Sequence, residues 1–520
     1  MVGVIDRGSL RPYSATAWNK ARLSWTPLNQ VKLHGPTPYG FARSAGVTKA
    51  ANGPNKADLA VGCFRVDWTL SPIPVLVMSG MGAAGTGMVT MAEAGGTSIP
   101  ALARRWYVLM VMCGVYALSI ADRYVVSTVL DPIRAELHLS DSGIALLTGA
   151  PLALFYVTFG IPLSWLADRS NRRNILAASL VAWSAMSALC GLSRTYLTFA
   201  LARIGVGIGE AGGTPSASSI ICDYFPAGRR PMALAIFALG APLGAWLGAD
   251  VAGWVASHYG WRAAFFVLGV PGVGVGLLVW STIREPERGR LDETVDTDTP
   301  TLMATLGFMV SQKASFHVMT GGALSAFWGW GLMYFTATYL QRAYGLSVGG
   351  AGAILGPIHL VAGSLATLLT AWVLSRPMFT DPRRVAWLLA GVTAVCTVPS
   401  VLAYFTHSLA VATTMLWLFI PAIYFYIGPA MGLVQNLAPA RMRAMFMAVS
   451  LVSANVLNLI VAPWIVGWLS DRFAGPHGSD AASLRLALLI LAPTGLWAAF
   501  HYWRGARTIV GDQRRAIGYV

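Results

Sequence analysis

Between residues 105 and 503 the chain is little else than apolar stretches of spanning length. They run at 105–130, 143–166, 174–193, 196–222, 231–256, 261–283, 314–341, 350–375, 385–405, 408–437, 443–469 and 482–503. A helix needs roughly 20 mostly apolar residues to cross the hydrocarbon core of a bilayer. Inside that core every backbone polar group must be satisfied within the segment, which favours helices. Twelve such stretches therefore predict an all-α integral membrane bundle of twelve spanning helices. Composition closes the soluble alternative. Of 520 residues, 11% are charged and 55% hydrophobic, whereas a soluble domain carries roughly 25% charge.

The net charge of +15 would point to nucleic acid if the basic residues shared a water-facing surface. Here they sit in short connections between apolar runs. Five alternate connections hold Arg169, Arg172 and Arg173; Arg229 and Arg230; Arg284, Arg288, Arg290 and Lys313; Arg376, Arg383 and Arg384; and Arg441 and Arg443, fourteen in all. The other six connections hold six: Arg134, Arg194, Arg262, Arg342, Arg472 and Arg485. By the positive-inside rule this places both termini in the cytoplasm, with the plasma (inner) membrane as the expected location. The five cysteines show no Cys-x-x-Cys spacing, so neither a disulfide framework nor a metal site is expected. No cofactor is expected, and no nucleic acid partner.

Residues 1–100 differ from the rest. Four of the five lysines lie before residue 60, and from residue 101 onward there are 27 arginines and one lysine. The segment is rich in Gly, Pro, Ser and Thr without helical periodicity, so no packed fold is expected there. It reads as a disordered basic extension or as the product of a wrongly assigned start, with Met78, Met81, Met88 and Met91 as candidate true starts; the lysine shift favours the wrong start. The remaining organisation is a first six-helix bundle at 101–283, a polar central loop at 284–313, a second bundle at 314–505 and a cytoplasmic tail at 506–520.

An internal repeat supports the division. The stretch "LLTGAPLALFYVTFGIPLSWLADRSNRR" around the second span resembles "AILGPIHLVAGSLATLLTAWVLSRPMFTDPRR" around the eighth; Gly149 and Gly356 are 207 apart, as are Arg169 and Arg376. Two six-helix repeats around a central cleft are an architecture for moving a solute by rocking one half against the other.

The stretch "SWLADRSNRR" (Ser164–Arg173) is similar to the signature Gly-x-x-x-Asp-Arg-x-Gly-Arg-Arg that follows the second helix in the major facilitator superfamily. Ser164 and Asn171 replace the two glycines. The resemblance implies that Asp168, Arg169 and Arg173 form a cytoplasmic gate; the plainer alternative is three arginines anchoring a loop. Within the superfamily, "DRYVVSTVLDPIRAEL" (Asp122–Leu137), "ARIGVGIGEAGGTPSASSIICDYFP" (Ala202–Pro226) and "REPERG" (Arg284–Gly289) resemble the spinster-like transporters over residues 105–505. That resemblance implies a proton-coupled carrier of lysophospholipids or sphingoid amphiphiles. Expected partners are membrane lipids, an amphiphilic substrate and protons, with the chain acting as a monomer. A drug or small organic-anion transporter of the same superfamily is the alternative. An integral membrane enzyme or a receptor fits less well, since no nucleophile, metal cluster or phosphate site is assembled.

Charges at bilayer depth are costly and mark function by default. Asp122 and Arg123 are adjacent in the first span; Arg203 and Glu210 lie seven residues apart, on one face of the fourth. At 1.5 Å per residue, Asp122 and Arg203 lie at matching depths, each about 12–13 Å from the outer end, with Glu210 nearer the midplane. The four charges sum to zero. They are read as the coupling and substrate group, with Asp122 as first candidate for the proton and Arg123 as its partner; the alternative is that they only pin the two helices together. Trp330, Tyr334, Tyr424 and Asn455 are candidate cavity-lining residues, although membrane aromatics more often pack against lipid or core. "GVGIGEAGG" (Gly205–Gly213) looks like a phosphate loop, but inside a span such residues serve close helix contact.

Overall fold

The computed structural model describes residues 24–27, 62–65, 99–226, 229–287, 301–439, 442–476 and 478–517. The expectation for residues 1–100 therefore falls almost wholly outside the described residues. What is described of that unit is an antiparallel pairing of Ser24–Pro27 with Gly62–Arg65.

The unit from Ala103 to Val520 is helical. Among the described residues, ten helices are long and apolar enough to cross a membrane. In chain order the spans are α1 (Ile99–Thr128), α2 (Asp141–Arg169), α3 (Arg172–Cys190), α4 (Tyr196–Ala211, continuing as Gly213–Tyr224), α5 (Met232–Tyr259), α6 (Trp261–Thr282), α7 (Lys313–Tyr344), α8 (Val348–Leu374), α9 (Pro382–Phe405), α10 (Leu409–Asn436), α11 (Met445–Arg472) and α12 (Ala481–Ala506). The two outside the ten are α4, broken at Gly212 and carrying Arg203 and Glu210, and the 32-residue α7. Short helices at Leu302–Ser311 and Ile509–Ile517 flank the second half.

Local sequence sets the ends. Ser140, Asn171 and Thr195 cap α2, α3 and α4 by accepting from backbone N–H groups in the first turn, which satisfies donors a helix leaves orphaned. Gly260, at φ 82°, turns α5 into α6, a conformation that a side chain would strain.

The halves meet along two crossings, α2 with α11 and α5 with α8. Both depend on glycine, and both involve a π-helical segment. A Cβ on Gly149 would come within 2.1 Å of the Leu459 carbonyl oxygen, in the π-helical stretch Leu457–Val461. A Cβ on Gly356 would come within 2.4 Å of Asp250 Cβ, in the π-helical stretch Leu247–Val251. The two glycines of the sequence repeat thus do equivalent work in the two halves. Each lets a helix approach a locally widened turn of the opposite half.

One end of the bundle is shared and the other is not. Towards the end bearing Arg342, a single core joins residues of both halves, including Tyr124, Val129, Ala249, Leu340 and Leu355. Towards the end bearing the termini, each half has its own core, one around Leu180 and Ile220, the other around Leu389 and Leu433. Polar contacts follow the same division. Arg342 reaches Asp131 at 2.6 Å and the buried Asp141 at 2.8 Å. Asp471 accepts from the backbone N–H of Asp141 and of Ser142, both at 2.9 Å. Gly349 N donates to Ser257 Oγ at 2.6 Å. Each of these joins the first half to the second, so this conformation is shut at the Arg342 end.

Candidate functional site

Between the halves lies a cavity of about 200 Å³, walled by α1, α2, α4, α7, α10 and α11. Tyr116, Tyr124, Trp330, Tyr334 and Tyr426 supply its aromatic wall. Asn455 and Asn458, from α11, supply amides. The charged side chains lining it, among the described residues, are two arginines, Arg123 and Arg203.

Their carboxylate partners stand behind them. Arg203 Nη1 donates to Asp122 Oδ2 at 2.9 Å, and both side chains are almost fully buried. The other oxygen, Asp122 Oδ1, accepts from the Ser187 hydroxyl on α3. Arg123 donates through Nε and Nη2 to Glu210 Oε2, at 3.1 and 2.7 Å. Glu210 is wholly buried and Arg123 keeps 21% of its side chain exposed. The Arg123 guanidinium also lies 5.3 Å from the centre of the Tyr156 ring, within cation–π range.

Adjacent residues on a helix point about 100° apart, so Asp122 and Arg123 cannot share a partner or readily serve each other. This corrects the expectation that they pair. Asp122 instead meets Arg203, the residue at its own depth, and Arg123 reaches Glu210 two turns further along α4. Glycines bring α4 close to α2 and α3. A Cβ on Gly207 would meet the Leu152 carbonyl oxygen at 2.4 Å, and one on Gly209 would meet Trp183 N at 2.7 Å. The glycine run of α4 is therefore a helix-contact surface against α2 and α3, not a phosphate loop.

Of the four candidate lining residues, Trp330, Tyr334 and Asn455 face the cavity. Tyr334 bonds the Thr148 hydroxyl across the two halves. Tyr424 does not line it. It is buried, and its hydroxyl lies 2.9 Å from His359 Nδ1. The helix breaks between Phe425 and Ile427, and two positions on a helix differ by about 200°, so Tyr426 takes the place foreseen for Tyr424.

The side chains of Asp168 and Arg169 lie outside the described residues; the backbone of both closes α2. Arg173 bonds within the first half, its N–H to Glu285 Oε2 at 2.8 Å and its guanidinium to the carbonyl of Trp280 at 3.0 Å. The centre of this cluster is a residue the sequence reading passed over. Arg172 is buried and bridges Asp223 at 2.6 Å and Glu285 at 2.7 Å. Asp223 and Glu285 both lie within stretches that carried the family resemblance, which was the available signal. Asp250 was also missed, although it stands in the middle of an apolar run; Trp246 Nε1 donates to it at 3.0 Å.

A cleft between two six-helix halves, with buried ion pairs at its wall, defines a secondary transporter. Residues 112–462 match the model of the Major Facilitator Superfamily, and the chain belongs to that superfamily. Within it the chain is spinster-like. It is 27% identical over 446 residues to Protein spinster homolog 1 of Xenopus tropicalis, covering 79% of this chain and 82% of that one. It is 29% identical over 418 residues to an MFS-type efflux pump of Mycolicibacterium smegmatis, covering 79% of this chain and 96% of the pump. Its fold matches, at a TM-score of 0.68 and 29% identity, the crystal structure of a bacterial homolog of the human lysosomal transporter spinster in an inward-facing, unoccupied conformation; the match covers 80% of this chain and 99% of that one. The protein is a multi-pass membrane transporter and not an enzyme.

Proposed function

We propose that the protein carries lipid-like amphiphiles, of lysophospholipid or sphingoid type, in exchange for or together with protons, by alternating access. The observation that carries this reading is the make-up of the cavity: aromatic and aliphatic walls for a chain, and two arginines for an anionic headgroup, with the carboxylates withdrawn behind them. A charge pair in a low-dielectric wall responds to a proton or to an anion by re-pairing. Protonating Glu210 would remove the counter-charge that holds Arg123 and leave the guanidinium free to attract an anionic headgroup, which links proton binding to substrate binding.

Asp168, Arg169 and Arg173, with the Arg172 cluster, are proposed to serve the gate at the termini end. The excess of basic residues there supports a cytoplasmic location for that end; this conformation would then be the inward-facing one, in a plasma (inner) membrane, with the monomer as the working unit.

A second reading, transport of a drug or a small organic anion, draws on the efflux pump among the relatives. Proteoliposomes under an imposed pH gradient separate the two. Uptake of a lysophospholipid that depends on the gradient supports the lipid reading. Movement of a hydrophilic anion or a cationic dye instead, with lysophospholipid inert, overturns it.

A further inference from the structure

We propose that the outer face of the second half carries a binding site for a phospholipid with an anionic headgroup, separate from the central cavity. Its polar end is a bowl at the termini end of the bundle. Lys313 at the start of α7, Arg383 at the start of α9, Arg507 just beyond α12, and Arg514 and Arg515 of the last helix surround it. Five cations thus face one carboxylate, Asp512, and that carboxylate is already engaged. Its Oδ2 accepts from Ala314 N at 2.7 Å and its Oδ1 accepts from Arg515. The N-termini of α7 and α9 are each capped by a carboxylate, Asp512 on Ala314 N and Asp381 on Arg383 N, so the excess positive charge of the bowl rests on the five side chains, three more cations than these two carboxylates offset. All five cationic side chains are exposed.

The bowl continues into an apolar groove on the same two helices. Between α9 and α12 the groove is lined by Trp387, Gly391, Ala394, Leu496, Phe500 and Trp503. Trp387 lies one turn inward of Arg383, and Trp503 one turn inward of Arg507. The two parts join where the Arg507 guanidinium stacks on the Trp503 ring, 3.9 Å from its centre. Gly391 has no atom within 4 Å of where its Cβ would stand, so the groove is open at the depth an acyl chain would occupy. Trp387, Phe500 and Trp503 are each about half exposed.

Cations at the interface above an apolar channel are the complement of a phospholipid with a phosphate at one end and a chain at the other. Basic pockets of this kind between spanning helices recognise anionic headgroups. The charge makes the site selective; any lipid would cover the groove alone.

The test uses the full chain in neutral detergent, with lipid retention counted by native mass spectrometry. Dioleoyl phosphatidylglycerol should be retained at least tenfold better than dioleoyl phosphatidylcholine. Arg383→Gln should weaken retention roughly fivefold, and Arg383→Gln with Arg507→Gln and Arg514→Gln on the order of a hundredfold, from the attraction of each cation near an anionic surface. Gly391→Leu fills the groove and leaves the bowl; it should reduce retention of both lipids alike. Equal retention of the two lipids by the wild type would overturn the proposal, as would full retention by the single and triple arginine variants or by Gly391→Leu. Displacement of the lipid by soluble glycerophosphate at matched concentration would also overturn it, by showing that the bowl binds a free phosphate and not a lipid.

Discussion

Glu210 takes both hydrogen bonds from Arg123 on one oxygen, Oε2, and its buried Oε1 has no hydrogen-bond partner. Asp122, one helix away, has both oxygens occupied, by Arg203 and Ser187. An acceptor left unsatisfied away from water is expensive, and a proton there costs fewer existing contacts than one on Asp122. For the proposed proton coupling, the geometry therefore favours Glu210 over Asp122 as the exchanging group.

Glu210→Gln should accordingly abolish transport driven by a pH gradient while leaving substrate binding within about an order of magnitude of wild type, since the amide keeps a carbonyl for Arg123 to bond. Flux in proteoliposomes, with and without the gradient, reads the first part, and ligand-induced thermal stabilisation reads the second. Retention of gradient-driven flux would remove Glu210 from the proton path.

Asp122→Asn should act mainly on stability. It leaves Arg203 as a buried cation without its counter-charge, and breaking one side of a buried pair costs about 3–5 kcal/mol. Replacing both partners with apolar groups is often close to neutral. The double variant Asp122→Leu with Arg203→Met should then recover much of the melting temperature lost by Asp122→Asn. Unfolding in detergent followed by circular dichroism distinguishes the two variants. If the double variant melts no higher than the single one, the pair has a role other than mutual neutralisation.

The twelve spans were legible because bilayer length and hydropathy are one-dimensional properties, and the Asp122–Arg203 pair was legible because depth is too. What was not legible needed rotation about a helix axis. Arg123 was assigned to its neighbour Asp122 because the sequence shows adjacency and not the angle between adjacent side chains. Tyr424 was preferred to Tyr426 because the local break in α10 sets which of them faces the cavity. Arg172 was counted as one more loop arginine, although it is buried between Asp223 and Glu285, because its partners lie 51 and 113 residues away. The Gly149 and Gly356 correspondence was visible as a repeat, but the π-helical turns they face are not marked by any residue pattern.

Those glycines give a conformational prediction. Gly149→Ala places a methyl group where the Leu459 carbonyl oxygen now lies 2.1 Å from the ideal Cβ position. Overpacking a tight contact costs about 1–3 kcal/mol. The cost falls on the conformation in which the contact is made, so the equilibrium should move away from closure at the Arg342 end. Spin labels at Leu192 and Ser408, both exposed at that end, should show the longer distances gaining population. An unchanged distribution would mean that the crossing persists in both states.

The last prediction separates the pH response of the interior from that of the ends. Glu136 bonds Arg262 at 2.6 Å and Trp261 at 2.8 Å, and these hydrogen bonds, with the arginine's charge, pull its carboxyl from 4.5 down to about 2. Burial pushes the Asp131 carboxyl up, but the hydrogen bonds and charges of Arg342 and Arg134 outweigh it and hold it below its ordinary 3.8. Both groups have folded values depressed below their unfolded ones. Their stabilising contribution is therefore complete above about pH 5, and it is lost only as the pH falls through the depressed values. Between pH 5 and 8 neither contact changes charge, so neither can drive a conformational response in that window. Glu136→Gln should leave the midpoint of any such response where it is. Asp131→Asn, which weakens the contact with Arg342 across the halves, should shift the distance distribution towards opening by the same amount at every pH from 5 to 8. Glu210→Gln should flatten the response itself. Distances between the Leu192 and Ser408 labels, recorded for the three variants across that range, check all three outcomes together. A midpoint that moves with Glu136→Gln, or an offset in Asp131→Asn that varies with pH, would place the titrating group at the Arg342 end and not beside Arg123.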